Sequence, residues 1–212
     1  MDYLQRGFHE NDFYQLYDDD DQIYVAFCDL SKEPGSAWTL VMSWESAKYK
    51  DLPYFKTKAF SRDAPINENT PNWSIYRQTW ARMNSIREHS THWRATCEWQ
   101  FTSRIDYQDY LRGKFSDFDI MSFVGNGCQP VEYVSILGNV AGSGTTVGFW
   151  QSSGGYLLHI DSVNTGCEFL PLADPSVDYF GYYGDGISTE FRCSRYDSST
   201  TQWWFGGYLE EH

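Results

Sequence analysis

The chain has 212 residues, with 29 acidic against 16 basic side chains and a formal charge of −13. That balance excludes nucleic acid as a ligand, because affinity for a phosphate backbone rests on clustered lysine and arginine. Hydrophobic residues make up 41% of the chain, enough for a sizeable core, but they come in short runs. None approaches the roughly 18 consecutive apolar residues that a membrane-spanning helix needs.

Residues 1–22 read as an irregular acidic lead, too acidic and too broken for a signal peptide. The lead ends in the run Asp18, Asp19, Asp20, Asp21, whose mutual repulsion places it in a solvated turn. A calcium loop would instead alternate its ligands with spacers and a glycine. Next come IYVAFCDL (23–30) and AWTLVMSW (37–44), two β-type runs either side of the turn-forming SKEPGS, which read as a hairpin. The segment TWARMNSIREHS (79–90) sets Trp80, Met83 and Ile86 at helical spacing, with Thr79 as the cap. HWRATCEWQF (92–101) alternates Trp93, Ala95, Cys97 and Trp99 against Arg94, Thr96 and Glu98, the pattern of a half-buried strand.

DYQDYLRGKF (106–115) reads as a turn of helix, and VEYVSILG (131–138), GFWQ (148–151) and YLLHID (156–161) as strands. The glycine-rich GNVAGSGTTVG (138–148) lacks the Lys-Ser/Thr ending of a phosphate-binding loop and reads as a surface turn. Asn72-Trp73-Ser74 is a weak N-glycosylation sequon. Residues 162–212 show little periodicity but much Gly, Ser, Asp and aromatic character, so they read as a loop-rich tail and the seat of binding.

The five cysteines, Cys28, Cys97, Cys128, Cys167 and Cys193, stand far apart with no C-x-x-C pair and no zinc-spaced histidines. Wide spacing of this kind suits long-range disulfides and hence a secreted or extracellular protein. The expected bridges are Cys97 with Cys128 and Cys167 with Cys193, leaving Cys28 free.

The order of motifs, from CDLSKEPGSAWTLVMSW through DAPINENTPNWSIYR, RMNSIREHSTHWRATC, CQPVEYVSILG, GFWQ, LHIDS and FGYYGDG to QWWFGGYL, resembles the fibrinogen-related domains of marine invertebrates, found in secreted, lectin-like and matrix proteins. The resemblance implies an α+β fold over residues 23–212: a fibrinogen C-terminal-like domain with a central antiparallel sheet, short helices and a loop-rich ligand-binding region at 162–212. In that family an upstream cysteine pairs with the position of Cys28. The resemblance also makes the Trp-rich stretch 63–99 scaffold, with Trp73, Trp80, Trp93 and Trp99 in the core and Asn67, Asn69 and Asn72 in tight turns. The family's closely spaced aspartates for calcium shrink here to Asp161, in LHIDSVNTGC. Because fibrinogen-like domains usually work as multimers, a homo-oligomer in the full-length protein is implied.

No nucleophile motif accompanies His9, His89, His92, His159 or His212, and no G-x-S-x-G occurs, so no enzyme is expected. The binding residues expected in the tail are Tyr179, Phe180, Tyr182, Tyr183, Trp203 and Trp204, whose flat faces suit sugar C–H surfaces, beside Asp174, Asp178 and Asp185. Those three aspartates are also the candidate ligands for calcium, the one candidate cofactor. The sequence thus points to a non-enzymatic extracellular module binding glycans, acetylated ligands or a cell-surface glycoprotein. The alternative is an acidic structural matrix or mineral-associated protein with no discrete pocket.

Overall fold

A computed structural model describes residues 1–47, 57–163, 166–171, 177–182 and 188–209. Strands account for 41% of the structure and helices for 10%, so the fold is mostly β and the α+β expectation does not hold. Among the described residues, the one helix longer than a turn and a half is α2 (Trp80–Glu88), which follows the short α1 (Asp2–Gln5). No helix among them is long and apolar enough to cross a membrane.

The strands are β1 (Asp12–Tyr17), β2 (Ile23–Asp29), β3 (Ser36–Glu45), β4 (Ile75–Arg77), β5 (His92–Cys97), β6 (Tyr110–Lys114), β7 (Gly125–Val131), β8 (Tyr133–Ile136), β9 (Asn139–Ala141), β10 (Thr145–Ser152), β11 (Tyr156–Ile160) and β12 (Thr200–Tyr208). They form two antiparallel sheets, a large one in the order β1-β2-β3-β12-β5-β6-β8-β9, with β4 added to β3, and a small one in the order β11-β10-β7. The last of these strands therefore lies at the centre of the large sheet, between β3 and β5.

Both faces of that central region are covered. On one face Trp203, Phe205, Trp93, Ala95, Leu111 and Val134 share a core with Val147, Phe149, Leu158 and Ile160 of the small sheet. On the other, Trp204, Trp38, Leu40 and Phe27 pack with Tyr76 and Trp99, and Trp73 stacks on Trp99 with ring centroids 5.2 Å apart. Double coverage explains why all six residues of β5 are buried, where alternation alone suggested a half-buried strand.

Several local expectations change for physical reasons. The expected helix at 106–115 is strand β6, because β5 offers it a free edge, with His92 opposite Lys114 and Ala95 opposite Leu111. Thr79 does cap α2, its hydroxyl accepting the Arg82 N–H at 3.2 Å, and Met83 is buried. Trp80, however, is 40% exposed and leaves the core to Trp73, Trp93 and Trp99. The residues read as an irregular lead are built structure: α1 buries Leu4 beside Cys28 and Ala37, and β1 pairs along its full length with β2. The aspartate run makes the intervening turn, where Asp18 Oδ1 accepts the N–H groups of Asp20 and Gln22, and Asp19 takes the Ser85 hydroxyl of α2.

The disulfides join the expected four cysteines in a different combination, Cys97–Cys193 and Cys128–Cys167. Strand order is the cause. Cys97 ends β5 opposite Thr201 of β12, so the segment entering β12 delivers Cys193 beside it, 4.6 Å away between Cα atoms. Cys128 lies in β7 of the small sheet, where the chain that bridges Val147 to Phe169 brings Cys167. Cys28 is free and buried, its thiol pushed up to about 12 by desolvation. The two bridges fit an extracellular setting. At the sequon, Asn72 donates to the Thr70 and Ile75 carbonyls and accepts the N–H groups of Ser74 and Ile75, so a glycan there would break part of the turn.

Candidate functional site

Four of the aromatics expected to bind ligand belong to the core, and the sheet topology puts them there. Trp203 and Trp204 are neighbours on the central strand, so each faces one covered side, and their indole N–H groups bond the Phe180 carbonyl and the Thr96 hydroxyl. Phe180 and its neighbour Tyr179 are both fully buried against Phe191, at 5.0 and 4.9 Å. None of these four presents a face to a ligand. Tyr183, Asp174 and Asp185 lie outside the described residues; Asp178 is described and partly buried. Among the described residues no group of three or more His, Cys, Asp or Glu side chains is arranged to hold a metal.

Tyr182 differs, because it belongs to an aromatic patch on the outer face of the small sheet. The segment 177–182 runs against β11 through a two-way bridge, Ile160 N–H to the Tyr179 carbonyl at 3.0 Å and the reverse at 3.1 Å. Gly181 permits this approach, since a Cβ there would stand 1.8 Å from the Leu158 carbonyl oxygen. The register of β10 on β11 sets Trp150 opposite His159, and that of β10 on β7 sets it opposite Asn126. Phe149 and Ile160 turn inward, so their neighbours Trp150 and His159 turn outward.

Around His159 the rings close up: Trp150 to Tyr156 at 4.6 Å, Tyr156 to Tyr182 at 4.7 Å and His159 to Tyr182 at 5.5 Å between centroids. Trp150, Tyr156 and Tyr182 are half-buried, whereas His159 is 1% exposed and forms the floor. Beside the rings, Asp161 accepts a hydrogen bond from Asn126 Nδ2 at 3.1 Å. The patch thus combines flat apolar faces with an exposed amide backed by a buried carboxylate, whose other oxygen accepts the Val163 N–H at 2.9 Å, and so offers both the apolar and the polar surface that a sugar ring needs. Local sequence pattern places these strands but points to the tail for the binding aromatics. Aligning GFWQ with YLLHID as paired strands would have put Trp150 opposite His159, but not Tyr156, which stands three residues from His159 and joins that face where the pairing shifts register between Trp150 and Ser152.

His159 is neutral at the floor of this patch. Its Nδ1 donates to the Leu157 carbonyl at 2.8 Å, and burial lowers its pKa to about 4. Because the folded value lies below the unfolded one of about 6.5, the unfolded chain takes up the proton first as the solution is acidified. The stabilising contribution is complete above pH 6.5 and is lost as pH falls toward 4, amounting to about 3 kcal/mol. Urea unfolding at pH 7.5 and 4.5 is expected to show this loss in the native chain and a much smaller one in His159→Gln. Equal acid sensitivity of the two proteins would contradict the assignment.

A second concentration of polar groups lies under the loop that joins β2 to β3, and it is scaffold. The SKEPGS turn folds back over the large sheet and inserts Glu33, 2% exposed, which accepts from Arg94 at 2.8 Å, Arg112 at 2.6 Å, Tyr107 at 3.1 Å and Tyr110 at 3.2 Å, and from Tyr208. Asp29 bonds the other arm of Arg94, the Trp99 indole at 2.9 Å and the Lys32 N–H at 3.0 Å. The Arg94 guanidinium, wholly buried, lies over the rings of Trp38 and Trp204. Desolvation works against both carboxylates, but the guanidinium and the other donors outweigh it and hold Asp29 and Glu33 below the ordinary carboxylate range.

Comparison with family models, with curated proteins and with solved structures gives no match for this chain.

Proposed function

We propose that the chain is an extracellular recognition module that binds saccharides, free or carried by a cell-surface glycoprotein, on the patch formed by Trp150, Tyr156 and Tyr182. The observation that carries this reading is the convergence of three half-buried rings on a neutral His159, with Asp161 and Asn126 at the border. Stacking on rings and hydrogen bonding to a polar side chain are the complementary halves of sugar recognition. The two disulfides support an extracellular setting for this role.

The test is a glycan array probed with the labelled chain and with Trp150→Ala. Saturable binding to a defined sugar class is expected, and the substitution is expected to weaken it by about tenfold or more, the scale of one good aromatic contact. Bulk calcium binding with no sugar preference would instead favour an acidic matrix protein.

A further inference from the structure

A pocket of about 550 Å³ opens at the start of β5, lined by Ser90, Thr91, His92, Lys114, Phe115 and Tyr208 among others. None of its lining residues belongs to the small sheet, so it is separate from the aromatic patch. We propose that this pocket is an acyl-transfer site for small carboxylic esters, in which Thr91 Oγ1 is the nucleophile, His92 the base and Glu132 the group that orients the base. This goes beyond recognition and departs from the expectation of no enzyme.

The geometry supplies each part. Thr91 is exposed, and its Oγ1 lies 2.7 Å from His92 Nδ1. On the other side of the ring, Nε2 stands 3.4 Å from Glu132 Oε2. That oxygen already accepts from Arg112 Nε at 2.6 Å, so it faces the ring as an acceptor and the imidazole presents N–H toward it. The hydrogen on Nε2 leaves the Nδ1 lone pair free for the Thr91 hydroxyl. A hydroxyl bonded to a base, itself oriented by a carboxylate, is the arrangement that activates a weak oxygen nucleophile.

The surroundings hold that arrangement still. The Thr91 N–H bonds the Gly206 carbonyl and its own carbonyl accepts the Phe115 N–H, both at 3.0 Å, so the nucleophile's backbone is fixed from β12 and from the end of β6. Gly207 leaves the space it occupies: a Cβ there would lie 2.2 Å from Thr91 Oγ1. The His92 ring is held edge-to-face by Tyr208 at 5.3 Å, and burial lowers its pKa, which keeps it an unprotonated base at neutral pH. Arg112 ties Glu132 to the buried Glu33, so the orienting carboxylate is anchored in turn. Lys114, in register with His92 and with a side chain 44% exposed, stands 4.0 Å from Glu132 Oε1 and is the cation on the pocket wall that a developing oxyanion would draw away from that carboxylate.

In the step so arranged, Thr91 Oγ1 attacks the ester carbonyl carbon and passes its proton to His92 Nδ1. The C–O bond to the leaving alcohol breaks and that oxygen takes the proton from His92. Water, deprotonated by the same imidazole, then cleaves the threonyl ester, releasing the carboxylic acid and restoring Thr91.

The probe is p-nitrophenyl acetate, with release of p-nitrophenolate followed at neutral pH and the site of acetylation mapped by peptide mass spectrometry. Acetyl on Thr91 is expected. It should be absent in Thr91→Val, retained in Thr91→Ser and formed at least ~100-fold more slowly in His92→Gln, the scale of general-base assistance. Thermal unfolding checks that each variant is folded. Labelling confined to lysines, or wild-type ester cleavage by Thr91→Val, would overturn the proposal whatever the glycan array shows.

Discussion

Replacing both Cys97 and Cys193 with alanine is expected to lower stability by about 4.7 kcal/mol, more than the loss of the other bridge. The bridge closes 96 residues, and in the chain-entropy picture a crosslink stabilises by restricting the unfolded ensemble, more for longer loops. Cys128–Cys167 closes 39 residues, and the same relation gives about 3.9 kcal/mol for its removal. Urea unfolding free energies extrapolated to water, with the m-value fitted for each variant, measure both. The ordering matters as much as the size, because the expected pairing of Cys97 with Cys128 and Cys167 with Cys193 would have made two short loops of nearly equal effect. A loss below about 1 kcal/mol for the Cys97/Cys193 variant would show that the tail entering β12 is held by packing alone.

Arg94→Met is expected to cost about 3–5 kcal/mol, because it leaves Asp29 and Glu33 buried without their shared counter-ion. Arg94→Lys should cost less but not be silent, since a single ammonium cannot reach two carboxylates in the two-armed geometry seen here. The cluster also sets an acid limb. Both carboxylates titrate lower in the folded chain than in the unfolded one, so their contribution is present above about pH 4.3 and lost as pH falls through their folded values. Urea unfolding from pH 7 to 3 is expected to show that limb in the native chain and a weaker one in Arg94→Met. An Arg94→Met protein as stable as the native chain would mean that Arg112 and the tyrosines suffice for both acids.

Much of the scaffold was legible in the residues. The hairpin at 23–44, the cap at Thr79 and the strands at 148–151 and 156–161 follow from local alternation and turn chemistry, whereas the strand read at 92–101 stops at Cys97, where Glu98 turns left-handed into a 3-10 turn, and the one read at 131–138 is divided between the end of β7 and β8 in different sheets. What escaped is what depends on partners distant in sequence. QWWFGGY has no alternation because β12 is covered on both faces, and a strand of that kind looks like an aromatic loop. Arg94 reads as the polar side of a half-buried strand until the SKEPGS turn is seen to roof it. That turn reads only as a turn, because nothing local says that its glutamate points down. At the candidate site the strands were visible and the face was not: Trp150, Tyr156 and His159 come together only through the pairing of β10 with β11, and Tyr182 only through the contact that Gly181 permits.

Whether the Trp150, Tyr156 and Tyr182 faces receive a sugar ring is tested most directly by saturation-transfer NMR, with the aromatic protons of the chain irradiated in the presence of the best array ligand. Saturation is expected to pass chiefly to the C–H protons of one sugar face and to disappear in Trp150→Ala and Tyr182→Ala variants that keep the native melting temperature. Undiminished transfer in both variants, or no saccharide receiving saturation at all, would contradict sugar binding at this patch.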